Sequence, residues 1–316
     1  MSGAEKGAFP LPLPSLPIVG QDFDRARGPV LAGAVAVELG RSVVQHKTAD
    51  EAKVRKPRAP SAAVPKKPAR AGSVEEIEQG PSGKSVAAIF DFDGTLIAGY
   101  SALDVLQARL MKGDLKVREL IGMATLAARG ALGLAGFKEL IAFTAASWRG
   151  RKEDDLMKEG DRLFKARIAD RVFPEMKRRL EAHRAKGHTL IIASSATPFQ
   201  IEPAAKFLGI ENVLCTRFGV EGGRMTGKPL DAPLWGEGKA NAVKALAKKL
   251  RLDLARSYAY ADGNEEVPLM MSVGNPRPTN PQEGLERAAR ARNWPVQKFT
   301  SRGRIGMDQL GRNLAA

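Results

Sequence analysis

The 316-residue chain is poor in residues that cross-link a fold or bind zinc, with one cysteine and three histidines. Cys215 therefore has no partner for an intrachain disulfide, and a Cys/His zinc cluster is excluded. It ends the apolar run Asn212-Val213-Leu214-Cys215, which predicts a buried strand and a core thiol. These absences exclude a small secreted domain held by disulfides and a zinc-finger module.

Long apolar runs are missing as well. No stretch approaches the ~18–20 apolar residues that a membrane-spanning helix needs. Pro10, Pro12, Pro14 and Pro17 interrupt any apolar segment near the start that could act as a secretory signal. We therefore expect no transmembrane segment and a cytoplasmic location.

Acidic residues are fewer than basic ones, which gives a formal net charge of +15, and aromatic residues make up only 6% of the chain. A basic surface attracts anions such as phosphate esters, nucleic acid or acidic lipid headgroups. Binding of single-stranded nucleic acid also needs aromatic side chains among the basic ones, and no such stripe is present. We expect no specific nucleic-acid partner.

The two ends of the chain differ in amino-acid composition from its middle. Pro, Ala, Lys and Arg dominate residues 53–72, and such a segment buries too little apolar surface to offset its chain entropy. We predict that residues 1–85 form a disordered, basic, Pro/Ala-rich tail that acts as a tether or binds an unidentified partner. Residues 301–316 are predicted to be a loose C-terminal tail.

The middle of the chain alternates between short apolar runs and helical periodicity. Strands are predicted at 86–90, 189–193, 212–219, 225–227 and 257–261. Helices are predicted at 198–208 and 238–250, and a block of five helices at 101–186 begins with Leu103, Leu106 and Leu110 at helical spacing. This alternation is typical of a parallel α/β sheet. We expect a catalytic core at 86–98 and 186–300, and a helical cap at 99–185.

The first predicted strand leads directly into Asp91-Phe92-Asp93-Gly94-Thr95. Ligands of open α/β sheets bind beyond the carboxyl ends of the strands, so both carboxylates are well placed. Their spacing allows one to face a substrate and the other to face its leaving group. Because adjacent carboxylates repel each other, a divalent cation such as Mg²⁺ would stabilise the pair.

Three further polar residues lie where strands end or helices begin. Ser194 follows the second core strand, Lys239 opens a helix after Gly236-Glu237-Gly238, and Asp262 follows the strand ending at Ala261. Together they supply a hydroxyl donor, a cation and a metal ligand for one phosphoryl group. Ser195 is the second choice for the hydroxyl, since side chains alternate along a strand and only one of the two serines should face the site.

These four motifs, in this order, resemble the haloacid dehalogenase (HAD) superfamily of phosphatases over about residues 86–300. The resemblance implies a HAD-like Rossmannoid parallel sheet core with an inserted helical (C1-type) cap, as in the phosphoserine-phosphatase-like subfamily IB. Four stretches are similar to the phosphatase-like domain that some actinobacterial proteins fuse to a 1-acylglycerol-phosphate acyltransferase: 235–239, 260–266, 273–281 and 293–296.

The resemblance also implies a role for each residue. Asp91 would be the nucleophile that becomes an aspartyl phosphate, and Asp93 the general acid and base. Ser194 and Lys239 would bind the phosphoryl oxygens, and Thr95 would stabilise the loop or contact substrate. Mg²⁺ would bind Asp91, Asp262 and the main-chain carbonyl of Asp93, and Glu266 is a further predicted metal ligand.

Two positions depart from the family pattern. Glu266 stands where the fourth motif usually ends in aspartate, which raises the question of full activity. Tyr100 stands where phosphoserine phosphatases place an acidic residue that reads the substrate's amino group, so phosphoserine is disfavoured and Tyr100 is predicted to line a less polar pocket. Arg277, predicted in a proline-rich loop near the fourth motif, is a further candidate for substrate contact or a solvated loop residue.

The predicted activity is Mg²⁺-dependent hydrolysis of a phosphomonoester, either a small phosphorylated metabolite or a lysophospholipid-like molecule. The second substrate class is suggested by the segment from Leu120 to Gly136, whose one charged residue is Arg129. Packing of this helix inside the cap is the preferred explanation of the same segment. Two alternatives stay open: a catalytically weak binding or regulatory protein, and a phosphotransferase in which an alcohol replaces water.

Overall fold

The computed structural model describes residues 69–132 and 136–299, all within one compact unit, Val64–Ala316. The strands are β1 (Ala87–Phe90), β2 (Thr189–Ala193), β3 (Asn212–Leu214), β4 (Phe218–Glu221), β5 (Arg224–Pro229), β6 (Tyr258–Ala261) and β7 (Asn275–Pro278). The helices are α1 (Val74–Gln79), α2 (Ser101–Met111), α3 (Val117–Ala131), α4 (Phe137–Ser147), α5 (Glu153–Leu163), α6 (Pro174–Ala185), α7 (Pro198–Leu208), α8 (Glu237–Leu250), α9 (Val267–Met271) and α10 (Glu283–Ala291).

Five parallel strands form the central sheet, in the order β3-β2-β1-β6-β7. β1 lies in the middle and consists only of buried apolar residues, as expected of a parallel strand covered on both faces. Phe90 is in register with Ile192 of β2 and Tyr260 of β6. The residues that follow these strands therefore meet at one edge of the sheet, and the predicted α/β fold is confirmed.

Helices α2 to α5 lie between β1 and α6, within the region 99–185 predicted to be the cap, and the predicted helices are found there. The assignment of this region as a cap remains a prediction. Helix α5 passes into a short π-helical segment, Phe164–Ile168. The region predicted as one strand at 212–219 is instead two, because β3 joins the sheet and β4 pairs with β5 in an antiparallel hairpin. That hairpin packs on the cap through a cluster that includes Trp148, Phe218 and Met225.

Residues 69–85, assigned by the sequence to the disordered tail, are part of the folded unit. Ser73 caps α1, Ile77 of that helix is buried in the core cluster on one face of the sheet, and Pro81 accepts a hydrogen bond from His188. The prediction failed here because α1 is short and has only two apolar residues, Val74 and Ile77. The rest of the predicted tail, residues 1–68, and residues 301–316 lie outside the described residues.

No described helix is long and apolar enough to cross a membrane. Cys215 follows β3 and is only partly buried, with burial raising the pKa of its thiol to about 11. A thiol with this pKa stays protonated near neutral pH, so it is a weak nucleophile.

Candidate active site

Asp91 lies at the carboxyl end of the central strand. Its main-chain N–H donates to the carbonyl of Tyr260 in β6, which continues the ladder one residue beyond β1. Its Oδ1 accepts a hydrogen bond from the N–H of Phe92 at 2.7 Å and lies 3.1 Å from the ammonium of Lys239. The carboxylate is therefore held by one cation and one backbone donor in a buried position.

Lys239, in the first turn of α8, is fully buried between two carboxylates. Its Nζ lies 2.6 Å from Oε1 of Glu266 and 3.1 Å from Oδ1 of Asp91. Burial alone would lower the pKa of Lys239, but Asp91 and Glu266 outweigh it and raise the pKa above its ordinary value. The side chain is a permanent cation at the point where a phosphoryl group would carry negative charge.

Glu266 contacts Lys239 through Oε1, while its buried Oε2 makes no hydrogen bond within residues 69–132 and 136–299. Burial, together with the charge of Asp91, raises the pKa of Glu266, and Lys239 opposes that rise. The side chain of Glu266, longer than the aspartate usual at this position, thus reaches the lysine directly. Its predicted role as a metal ligand remains a prediction, and its observed contact is with the cation.

Asp93 follows Asp91 by two residues and faces the first residue of the cap. Its Oδ1 accepts from the N–H of Ser101 at 2.6 Å, and its Oδ2 accepts from the Ser101 hydroxyl at 3.0 Å. Burial nevertheless raises the pKa of Asp93 to about 7. A group that exchanges its proton near neutral pH suits general acid and base chemistry.

Asp262 lies directly after β6 and is packed against the loop that follows β1. Its Oδ1 accepts a hydrogen bond from Thr95 at 3.1 Å, so Thr95 orients this carboxylate. A Cβ on Gly94, which has φ +72°, would lie 2.1 Å from Oδ2 of Asp262. Glycine is therefore required at this position both by the backbone conformation and by the close approach of the carboxylate.

The site carries more negative charge than Lys239 can balance. Burial, and then the charge of Asp91, raise the pKa of Asp262 to about 8. A divalent cation would relieve this repulsion, and the oxygen donors present are those that Mg²⁺ prefers. Within the described part of the chain, no group of three or more His, Cys, Asp or Glu side chains is arranged to hold a metal. Mg²⁺ fits such a site because it commonly takes one or two carboxylates and keeps its waters.

Ser194 continues β2 by one residue, since its N–H donates to the carbonyl of Leu214 in β3. The side chain is buried, and its Oγ accepts a hydrogen bond from the N–H of Ala196 at 3.2 Å. That contact leaves the hydroxyl proton available for donation to a ligand. Ser195 is partly exposed, so burial at the sheet edge favours Ser194 over its neighbour.

Three aromatic residues lie where the cap meets the core around this site. Tyr100, 48% exposed, precedes α2, and partial burial, followed by the charge of Asp262, raises the pKa of its hydroxyl. Phe137 of α4 stacks on Trp235 of the loop before Lys239, with ring centroids 4.1 Å apart and planes at 18°. This stack joins the cap to the loop that leads into the lysine helix.

Arg277 is not at this site, and its predicted position in a solvent-exposed loop is wrong. It lies in β7, is 4% exposed, and forms an ion pair with Glu76 of α1. Its guanidinium also lies 5.5 Å from the ring centre of Tyr258, the first residue of β6. The side chain therefore points to the opposite end of the strands, because a buried guanidinium needs a carboxylate partner and α1 supplies one.

Sequence reasoning missed Ser101 and Gln200. Gln200, in the first turn of α7, donates to the Ser101 hydroxyl at 2.8 Å. The signal available in the sequence was weak: Thr197-Pro198-Phe199-Gln200 reads only as a capping box at a helix start. Its second role depends on the folded cap.

Buried carboxylates and one lysine at the carboxyl edge of a parallel sheet, beneath a helical cap, define a hydrolase of phosphate esters. Residues 88–271 match the haloacid dehalogenase-like hydrolase family, and the chain belongs to this family as a phosphatase. It is 31% identical over 253 residues to a putative hydrolase of Mycobacterium leprae, covering 75% of this chain and 83% of the relative. It is 29% identical over 241 residues to phosphoserine phosphatase SerB1 of Mycobacterium tuberculosis, covering 73% and 77%.

Solved structures share the fold. A protein of unknown function from Bordetella pertussis superposes with a TM-score of 0.62 at 24% identity, covering 68% of this chain and 99% of the other. A phosphoserine phosphatase solved as an analogue of its phospho-aspartyl intermediate has a TM-score of 0.50 at 14% identity, covering 68% and 93%. At these identities the likeness concerns the fold alone.

Proposed function

We propose that the protein hydrolyses phosphomonoesters with Mg²⁺, through an aspartyl phosphate on Asp91. The observation that carries this proposal is that two nearby carboxylates have different partners. Asp91 is held by Lys239 at the end of β1, whereas Asp93 turns away to donors in the cap and has a pKa of about 7. One carboxylate suits nucleophilic attack and the other proton transfer.

In the first half-reaction, a carboxylate oxygen of Asp91 forms a bond to phosphorus while the bond to the leaving oxygen breaks. Asp93 gives its proton to that leaving oxygen, so the product departs as a neutral alcohol. In the second half-reaction, Asp93 takes a proton from water, the resulting hydroxide attacks phosphorus, and inorganic phosphate leaves. Asp91 then returns as a carboxylate and Asp93 in its acid form.

Three other groups act on the transferring phosphoryl group in this proposal. The Ser194 hydroxyl donates to one phosphoryl oxygen, and Lys239 balances the charge that develops there. Mg²⁺, held by Asp91, Asp262 and the main-chain carbonyl of Asp93, would neutralise the phosphate and the carboxylates when bound. Thr95 keeps Asp262 in place.

For the substrate, we propose a phosphomonoester whose alcohol part lacks an amino group near the phosphate. Tyr100 borders the site where an acidic residue would be needed to read such an amino group. Two substrate classes are part of this proposal, a small phosphorylated metabolite and a lysophospholipid-like molecule, and α3 exposes the apolar Val117 and Ile121. Membership of the phosphoserine-phosphatase-like subfamily IB and a cytoplasmic location are part of this proposal.

The test is phosphate release from a panel of monoesters with Mg²⁺ or with EDTA: phosphoserine, glycerol phosphate, a lysophosphatidate and an aryl phosphate. We expect phosphate release that depends on Mg²⁺ and is lost in Asp91→Asn. We also expect the wild-type protein to form an aspartyl phosphate that hydroxylamine cleaves. If an added alcohol acceptor becomes phosphorylated in place of the release of inorganic phosphate, the protein is a phosphotransferase. Mg²⁺ binding without any release would support a binding protein and overturn the proposal.

A further inference from the structure

The two oxygens of Asp93 are both bound by a single cap residue. Ser101 is the first residue of α2 and is fully buried, and it donates its N–H to Oδ1 and its hydroxyl to Oδ2. Two donors from one residue fix both the position and the rotation of a carboxyl group. Each oxygen keeps a further lone pair, so the group can still carry and release a proton.

Behind Ser101 lies Gln200, whose orientation is set by a backbone group. Its Oε1 accepts from the N–H of Thr197 at 3.0 Å and from the Thr197 hydroxyl at 2.7 Å. A backbone N–H can only donate, so the amide oxygen must face Thr197. The amide nitrogen then faces Ser101, and it donates to the hydroxyl oxygen at 2.8 Å.

This chain of bonds determines where the hydroxyl proton of Ser101 points. Because the hydroxyl oxygen accepts from Gln200, its own proton is directed to Asp93. Without the amide, the hydroxyl could rotate and accept from another donor instead. The chain also joins three segments: the loop after β1, the start of the cap and the start of α7, which follows Ser194 in sequence.

We propose that Ser101 and Gln200 are positioning residues for proton transfer by Asp93. Ser101 holds the carboxyl group toward the leaving oxygen, and Gln200 fixes the direction of the Ser101 hydroxyl. Neither residue touches the phosphoryl group in this assignment. The inference rests on the proposed function, since it concerns the proton that Asp93 gives to the leaving alcohol.

The experiment compares two leaving groups in Ser101→Ala and Gln200→Leu. An alkyl phosphate needs its leaving oxygen protonated, whereas an aryl phosphate with an acidic phenol leaves with little help. General acid catalysis contributes a rate factor of about 100- to 10,000-fold, and a misplaced general acid loses part of that factor. We expect kcat/KM for glycerol phosphate to fall roughly 10- to 100-fold, and kcat/KM for the aryl phosphate to stay within about twofold.

Three controls separate positioning from folding. Ser147→Ala removes another cap hydroxyl, one that bonds to Thr144 and Arg109, and should leave both substrates unaffected. Ser101→Thr keeps the hydroxyl and should restore the alkyl substrate at least partly. The double variant Ser101→Ala/Gln200→Leu should be no worse than Ser101→Ala, because both residues act through one chain.

The outcomes are distinct. A selective loss on the alkyl substrate supports the inference. Equal losses of activity on both substrates, or no loss on either, would overturn the inference. The activity of the wild type would still support the proposed function. Silence of the wild type on both substrates would instead refute the proposed function, and the positioning role would fall with it.

Discussion

Lys239 is a buried ammonium group that forms ion pairs with two carboxylates, Asp91 and Glu266. Removing it leaves these acids buried together without their cation. We expect Lys239→Met to lower the free energy of unfolding by about 3–5 kcal/mol and to abolish activity. Urea denaturation measures the first effect. Lys244→Met, on the exposed side of α8, is the matched control and should change stability by no more than about 0.5 kcal/mol.

A second prediction at the residue scale concerns Gly94. Gly94→Ala would place a methyl group against the Asp262 carboxylate in addition to straining a left-handed backbone. We expect loss of most activity and a destabilisation larger than that of Gly113→Ala. Gly113 has a similar φ of +67° but nothing within 4 Å of its Cβ position, so its substitution should cost only about 1–2 kcal/mol. Equal costs for the two variants would argue against the close approach of Asp262.

At the scale of elements, one of the contacts between cap and core is the stack of Phe137 on Trp235. Such a pair contributes about 0.5–1.5 kcal/mol beyond buried area. We expect Phe137→Ala to raise KM by up to roughly tenfold, because closure over the substrate becomes less favourable. The unfolding midpoint should change little, since Phe137 is only partly buried.

Steady-state kinetics with the panel of monoesters measures this effect. Phe207→Ala provides the comparison, because Phe207 packs on Phe164, a contact that does not involve the loop before Lys239. If both variants raise KM equally, the stack has no special part in closure.

At the scale of the whole molecule, four segments meet in one buried chain of hydrogen bonds. His188 must donate its Nε2–H to the carbonyl of Pro81, so when it is neutral its Nδ1 accepts from His183 Nδ1–H. His183 Nε2 then accepts from the hydroxyl of Tyr260, at 2.8 Å. The chain joins the segment after α1, the helix α6, the turn before β2 and the strand β6, and it forms with both histidines neutral.

This chain predicts acid sensitivity of the fold. Burial lowers the pKa of His183 well below 6.5, so the folded state keeps the neutral ring while the unfolded chain takes up a proton. The stabilisation is therefore complete above about pH 6.5 and is lost as pH falls below it, by up to about 1.4 kcal/mol per pH unit for one proton.

Urea denaturation of the wild type and of His183→Gln between pH 7.5 and pH 5 tests this prediction. The variant should be less stable at pH 7.5 but lose less stability on acidification. Parallel decreases in the two proteins would show that His183 does not cause the acid sensitivity.

The sequence by itself determined the features that depend on neighbours along the chain. The apolar run of β1 followed at once by Asp91 and Asp93 specifies a buried strand with carboxylates at its end, and the periodicity of 101–186 specifies helices. Ser194, Lys239 and Asp262 could be predicted for the same reason, because each directly follows a strand or opens a helix.

Only the tertiary structure decided which distant side chains meet. Gln200 contacts Ser101 across 99 positions, and Glu76 pairs with Arg277 across 201. No local pattern encodes such pairs, because they arise when separate elements pack on one sheet. The docking of α1, the contact of Glu266 with Lys239 and the donors to Asp93 all belong to this class, since a buried charge or polar group takes its partner from whichever element packs against it.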